Sequence, residues 1–145
     1  MTGTMADQPF RVLPRVTDQN EHFWRGGAEG ELRFLRCQND GYWIHPPAPI
    51  CPRCLKKDIA VEAVSGDGVV HTFTVNEQAW IPTLDPPYVI AIVEFPEQEG
   101  LRLTTNIVNV DPYEVYIGMP VHVVFDNYDD DVWLPMFEPI APEEA

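Results

Sequence analysis

All three cysteines of the chain fall between positions 37 and 54, and their spacing constrains the fold more than any other feature. Cys51-Pro52-Arg53-Cys54 is a complete metal knuckle. Cys37-Gln38-Asn39-Asp40-Gly41 is a second knuckle in which Asp40 stands where another thiolate is expected. Two Cys-x-x-Cys knuckles separated by roughly 10–20 residues make a zinc ribbon, with four donors converging tetrahedrally on one ion. A carboxylate oxygen can serve as the fourth donor. Asp40 has the spacing for that place, and Gly41 suits the tight turn that follows. His45 is the alternative fourth ligand. A ribbon held without metal by Tyr42, Trp43 and Ile44 is the remaining option. A closed site of this kind is structural, because no coordination position is left for water or substrate.

Charge divides the chain sharply. Residues 1–57 hold eight basic and six acidic side chains, whereas residues 58–145 hold Arg102 alone against seventeen acids. Nucleic-acid binders carry the opposite balance, so an OB-type nucleic-acid module would lack its basic face here. The basic groups placed to meet a phosphate-bearing ligand are Arg33, Arg36, Arg53, Lys56 and Lys57. No run reaches the roughly 18–20 apolar residues of a membrane helix. The first residues lack the basic and apolar regions of a signal peptide, and the cysteine spacing suits a reducing compartment. A cytoplasmic location is therefore expected.

In chain order, residues 1–16 are expected to form a tail. Asp18 and Glu21 predict a capping box for a helix of two to three turns, ended by Gly26-Gly27. Leu32–Arg36 and Tyr42–Ile44 read as strands into and out of the first knuckle. The prolines at 46, 47 and 49 stiffen the connector to Cys51. From Ile59 the pattern is all β, with short strands separated by Gly, Pro and acidic turns. Val69, His71, Phe73 and Val75 alternate on one face, which makes His71 a core histidine. Asp111–Glu114 reads as one helical turn. The fold predicted is mainly β: a short N-terminal helix, a rubredoxin-like zinc ribbon and a C-terminal five-stranded OB-fold barrel, with a small β-sandwich as the alternative. The boundaries expected are a tail over 1–16, helix plus ribbon over 17–58, barrel over 59–139 and an acidic tail over 140–145.

This order of elements resembles the zinc-ribbon/OB-fold family of acyl-CoA-associated proteins. The resemblance runs from Asp18 to Pro139. It is carried by Phe23-Trp24, Leu35-Arg36-Cys37, Pro46-Pro47, Cys51-Pro52-Arg53-Cys54, Gly68–Val75, Pro87–Ala91 and Gly118–Val121. Asp40 departs from the family's cysteine. The resemblance implies an accessory subunit for a thiolase-superfamily enzyme, forming a hetero-oligomer around a shared acyl-CoA. The segment from Cys37 to Pro47 is similar to the domain that pairs with a thiolase-like steroid side-chain aldolase. That reaction is retro-aldol cleavage releasing propionyl-CoA and a 17-keto steroid. A scaffold for another thiolase or an acyltransferase is the alternative.

The residues themselves offer no catalytic set. The cysteines are committed to the ribbon, and no glycine-rich phosphate loop is present. A retro-aldol step needs a base for the hydroxyl proton and a stabiliser for the thioester enolate. His22, His71 and His122 are the candidate bases, and none has a sequence neighbour that activates it. The catalytic groups are expected on the partner. A stand-alone hydrolase built on His71 or His122 is the competing enzyme reading. Phe23, Trp24, Tyr42 and Trp80 are the aromatics expected to contact a partner or an acyl chain, with Trp80 grouped with the ribbon.

Overall fold

The computed structural model describes residues 11–81, 84–129 and 131–141. The readings made for residues 1–10 and 142–145 lie outside them. One helix, α1 (Glu21–Arg25), precedes eight strands: β1 (Leu32–Cys37), β2 (Trp43–Ile44), β3 (Ile59–Val64), β4 (Asp67–Asn76), β5 (Tyr88–Glu94), β6 (Arg102–Ile107), β7 (Pro120–Asp129) and β8 (Val132–Pro139). Strands β2-β1-β3 form an antiparallel sheet, and β4-β5-β6-β8-β7 close into a barrel. Four of the five barrel pairings are antiparallel, while β6 meets β8 in parallel at Ile107 and Phe137. This is the five-stranded OB barrel that the strand pattern predicts. No helix among the described residues is long and apolar enough to cross a membrane.

β1 is apolar on both faces, and that decides how the two parts join. Leu32 and Phe34 enter the barrel's core with Val70, Val93, Phe95 and Phe137. Leu35 and Cys37, on the opposite face, form a smaller core with Ile44 and Cys51. β3 pairs with β1 from Leu32–Val64 to Cys37–Ile59, so by hydrogen bonding it belongs to the ribbon sheet. It then turns at Ser65-Gly66 into β4. Gly66 has φ +87°, and a Cβ there would lie 2.8 Å from Val123 Cγ1, so the turn needs glycine twice over.

Three local expectations are corrected. The capping box does not form: Asn20 precedes α1, and its side chain binds Thr17 N and Arg15 O instead of the helix. The α-helix does stop at Gly26, but after five residues and not two to three turns, and the chain runs on as a 3-10 turn (Gly26–Glu29) closed by left-handed Gly30. Those two glycines serve close packing, since a Cβ on Gly27 would sit 2.3 Å from Trp133 Cβ. His71 is not in the core. A bulge between Val70 and Thr72 resets the alternation, so Gly68 and Val70 face inward before it and Phe73 and Val75 after it. His71 is left outside, facing Glu94.

Candidate metal centre

The two knuckles share one backbone plan. In the first, Cys37 N donates to Tyr42 O at 2.8 Å, and Gly41 N donates to Cys37 O at 2.9 Å. In the second, Cys51 N donates to Lys56 O at 3.0 Å, and Leu55 N donates to Cys51 O at 2.9 Å. The residue after each second donor is left-handed: Gly41 at φ +79° and Leu55 at φ +64°. Asp40 therefore occupies the backbone position that Cys54 occupies in the other knuckle. Leu55 holds this conformation despite its Cβ, a strain of about 1–3 kcal/mol that the second knuckle tolerates.

The donor atoms of Cys37, Asp40, Cys51 and Cys54 all lie within 4.8 Å of one another. Cys37 Sγ and Cys54 Sγ are 3.6 Å apart, and Cys51 Sγ lies 3.7 Å from Asp40 Oδ2. Metal–ligand bonds of 2.3 Å to sulfur and 2.0 Å to oxygen at tetrahedral angles place sulfurs about 3.8 Å apart, and sulfur and oxygen about 3.5 Å apart. The residues fit such an ion. Cys37 and Cys51 are buried, Cys54 is partly buried, and Asp40 is exposed. The amide of Tyr42, 3.0 Å from Asp40 Oδ1, holds the Asp40 carboxyl below its usual range, with the Cys37 side chain helping. The donor is thus kept in its charged, ligating form.

His45 is not among the converging donors. Its ring stacks on Phe34 at 4.5 Å and tilts against Phe23 at 4.9 Å. Burial, aided by repulsion from His22, lowers its pKa to about 4, and its Nδ1 is buried without a partner. It is a neutral core ring.

The remaining candidates separate in space. Phe23, only 5% exposed, belongs to the core, with Trp24 edge-on against it. The Phe23 ring packs against Phe34 and His45, and its edge lines the same groove as Trp24. Trp24 is partly buried and lines a groove of about 170 Å³ with Leu103, Thr105 and Met136. Tyr42 packs beside Cys37 and lies under the Arg53 guanidinium, 5.1 Å away. Trp80 is not a ribbon residue; it lies in the β4–β5 loop and is 72% exposed. Arg33 is paired with Glu29 and Glu31, and Arg36 is spent on Glu62, Gly41 O and the face of Trp43. Arg53, Lys56 and Lys57 stay exposed on the second knuckle, Lys56 reaching Asn39 at 3.4 Å.

The three candidate bases lie apart. His122 is bound to Asp67, His71 faces Glu94, and the pKa of His22 is lowered by burial. Sequence reasoning missed the clamp between ribbon and barrel. Gln98 accepts from Trp43 N at 2.8 Å and donates to Trp43 O at 3.0 Å, and Glu97 accepts from Ser65 N at 2.7 Å. Nothing local in Pro96–Gly100 signals that role.

Comparison with known proteins agrees with this geometry. Residues 24–60 match the ChsH2 rubredoxin-like zinc ribbon domain, and residues 61–126 match the ChsH2 C-terminal OB-fold domain. A DUF35 domain-containing scaffold protein of Methanocaldococcus jannaschii is 42% identical over 101 residues, covering 67% of this chain and 69% of that one. The 3-oxo-4,17-pregnadiene-20-carboxyl-CoA hydratase alpha subunit of Mycobacterium tuberculosis is 34% identical over 124 residues, covering 86% of this chain. The chain spans less than half the length of the hydratase subunits it matches, 39% for this one. Among solved structures, a chain of the Ltp2-ChsH2(DUF35) aldolase superposes with TM-score 0.78 at 33% identity, covering 88% of this chain and 98% of that one. With two metal knuckles leading into a five-stranded barrel, and relatives of this closeness, the chain belongs to the ChsH2-type DUF35 family, which joins a rubredoxin-like zinc ribbon to a C-terminal OB fold.

Proposed function

We propose that this chain is the accessory, non-catalytic subunit of a cytoplasmic thiolase-superfamily aldolase. The reaction assigned is retro-aldol cleavage of a steroid side-chain acyl-CoA, releasing propionyl-CoA and a 17-keto steroid. The observation that carries it is the similarity to the aldolase chain, which this sequence matches across 98% of that chain's length. The hydratase subunit similar to it is named for a steroid-derived acyl-CoA, in keeping with the same substrate class.

The division of labour follows from the side chains. Among the described residues the three candidate bases sit in separate settings: His122 bound to Asp67, His71 facing Glu94, and His22 in a groove with Asp18 and Glu21. The base and the enolate stabiliser are assigned to the partner. This chain supplies a rigid ribbon–barrel body, the partly open Trp24 groove as apolar wall, and exposed Arg53, Lys56 and Lys57 as charges for CoA phosphates. Cys37, Asp40, Cys51 and Cys54 are assigned to zinc, which when bound cross-links the knuckles. Arg102, the one Lys or Arg in the barrel's sequence, is paired with Glu94, which further weakens a nucleic-acid reading.

The test is co-expression with a thiolase-like subunit from the same organism, followed by assay of propionyl-CoA release from a 3-hydroxyacyl-CoA steroid. Activity is expected from the pair and not from this chain alone. Cleavage by the isolated chain would overturn the proposal. Complex formation with activity only on non-steroid acyl-CoA substrates would instead favour the broader scaffold reading, which the DUF35 scaffold relative supports.

A further inference from the structure

β7 pairs with β4 only through Asp67–Val69, which leaves the rest of that flank of β4 without a neighbouring strand. The segment between β6 and β7 lies along it. Gly118 N donates to Val70 O at 2.7 Å, Val70 N donates to Met119 O at 3.0 Å, and the Tyr113 side chain lies near enough to Glu77 for that carboxylate to add to desolvation in raising its pKa. The segment is anchored, with Val115 and Met119 buried and Val110 packed on the core. Its outward residues are nonetheless large and apolar: Tyr113 is 62% exposed, Tyr116 54% and Ile117 67%. Trp80 joins them from the β4–β5 loop, its Nε1 donating to Asn76 Oδ1 at 2.9 Å, next to Tyr113's neighbour Glu77.

Four exposed apolar side chains on one flank are unlike the others, which are scattered over separate strands and turns. Taking about 200 Å² for a whole aromatic side chain, they offer on the order of 500 Å². That is the upper range of the largest patch on an ordinary monomer, and over half of the roughly 800 Å² per partner of a standard interface. The surroundings are acidic: Glu77, Asp111 and Glu114 are exposed, and residues 72–101 contain no Lys or Arg. A second copy would bring the same acids and another −14 charges, and nucleic acid or an anionic membrane would be repelled likewise. The complementary occupant is a protein face with an apolar centre and a Lys/Arg rim.

We infer that Trp80, Tyr113, Tyr116 and Ile117 form the docking surface for the partner subunit, whose matching face is apolar and rimmed with basic residues. The inference rests on the accessory-subunit reading and adds where the partner binds. It is tested on the full chain with the thiolase-like subunit it co-expresses with, by titration at two salt concentrations. Tyr116→Asp and Ile117→Asp, each in an exposed side chain, are expected to raise Kd about 30-fold or more. Glu114→Lys is expected to weaken binding and flatten its salt dependence. Val61→Asp, in an exposed side chain on the edge strand β3 of the ribbon sheet, is expected to bind like the native chain. Unchanged circular dichroism and Tm show that each variant is folded. If the native chain binds and both aspartate variants bind within threefold of it, the surface is wrong and the accessory reading stands. If the native chain binds no such subunit, the accessory reading falls and this inference with it. Dimerisation of the chain abolished by the same substitutions would make a second copy the occupant and overturn it.

Discussion

His45 supplies the sharpest test of the core's energetics. Its ring stacks on Phe34 and tilts against Phe23, and burial lowers its pKa from 6.5 to about 4, with His22 adding repulsion. In the unfolded chain the imidazole takes its proton near pH 6.5, while in the folded chain it stays neutral until about pH 4. Between those values the unfolded state binds more protons, so stability rises with pH there and is lost as pH falls. It is fully present above pH 6.5. One pKa unit corresponds to 1.36 kcal/mol, so the loss from this group is about 2 kcal/mol at pH 5 and about 3 kcal/mol once pH passes below 4. The assay is urea unfolding of the native chain and of His45→Phe at pH 7 and pH 5, above the sequence pI of about 4.4. Phenylalanine keeps a ring in the stack and cannot titrate. Acid effects on the metal site, on carboxylates and on His22 occur in both proteins and largely cancel. The native chain is expected to lose about 2 kcal/mol more than the variant over that interval. Profiles that run parallel within about 0.5 kcal/mol, or an NMR titration placing His45 near 6.5, would refute the reasoning.

Other expectations are direct. Protein prepared without added metal should carry one zinc per chain. Asp40→Ala should cost more than the 10–100-fold in affinity typical of outer-shell losses, and Asp40→Cys should bind at least as tightly as the native site; competition with a chelator reads both, and unchanged affinity in Asp40→Ala would remove Asp40 from the site. Gln98→Ala strips both partners from the Trp43 backbone and should destabilise by about 1–3 kcal/mol in urea unfolding. Gly27→Ala places a Cβ 2.3 Å from Trp133 Cβ and 2.8 Å from Phe125 Cδ1, and should cost about 1–3 kcal/mol through forced repacking, read as a lowered Tm.

The features legible in the sequence were those written in short-range spacing. The interval Cys37-x-x-Asp40-Gly41 matches Cys51-x-x-Cys54-Leu55, and the backbone repeats the same two hydrogen bonds in each. The helical turn at Asp111 was legible because an Asp before Pro can cap, and its carboxylate does accept from Tyr113 N. The errors arose where one residue serves two purposes. A bulge shifts the phase of β4 by one residue, and no alternation count locates it before pairing with β5 is known. Gly26 and Gly27 read as a helix stop, yet Gly27 is also required by a contact with Trp133, over a hundred residues on. Residue type alone groups Trp80 with the ribbon aromatics, whereas its place depends on how the β4–β5 loop leaves the barrel. Gln98 is ordinary in sequence and acts only on a backbone 55 residues away.

These long-range ties explain why a metal ribbon and a barrel make one body. β1 alone would couple them, since its two faces lie in two different cores. A single strand still leaves a hinge, and the hinge is closed from three directions. The β5–β6 turn grips β2 through Gln98 and the β3–β4 turn through Glu97. The helix reaches the β7–β8 hairpin through Arg25 and Asp131, 3.1 Å apart. Gly27 lets the 3-10 turn press against Trp133 on β8. The exposed ion pair contributes little by itself, but the glycine contact and the amide clamp fix position where a surface charge cannot. A subunit whose task is to present a surface to another protein gains from such fixation, because an interface already held in its bound form loses less conformational entropy on association. On the accessory role proposed above, ribbon and barrel offer a partner one preformed shape, with the knuckle cations on the ribbon and the Trp80–Ile117 flank on the barrel.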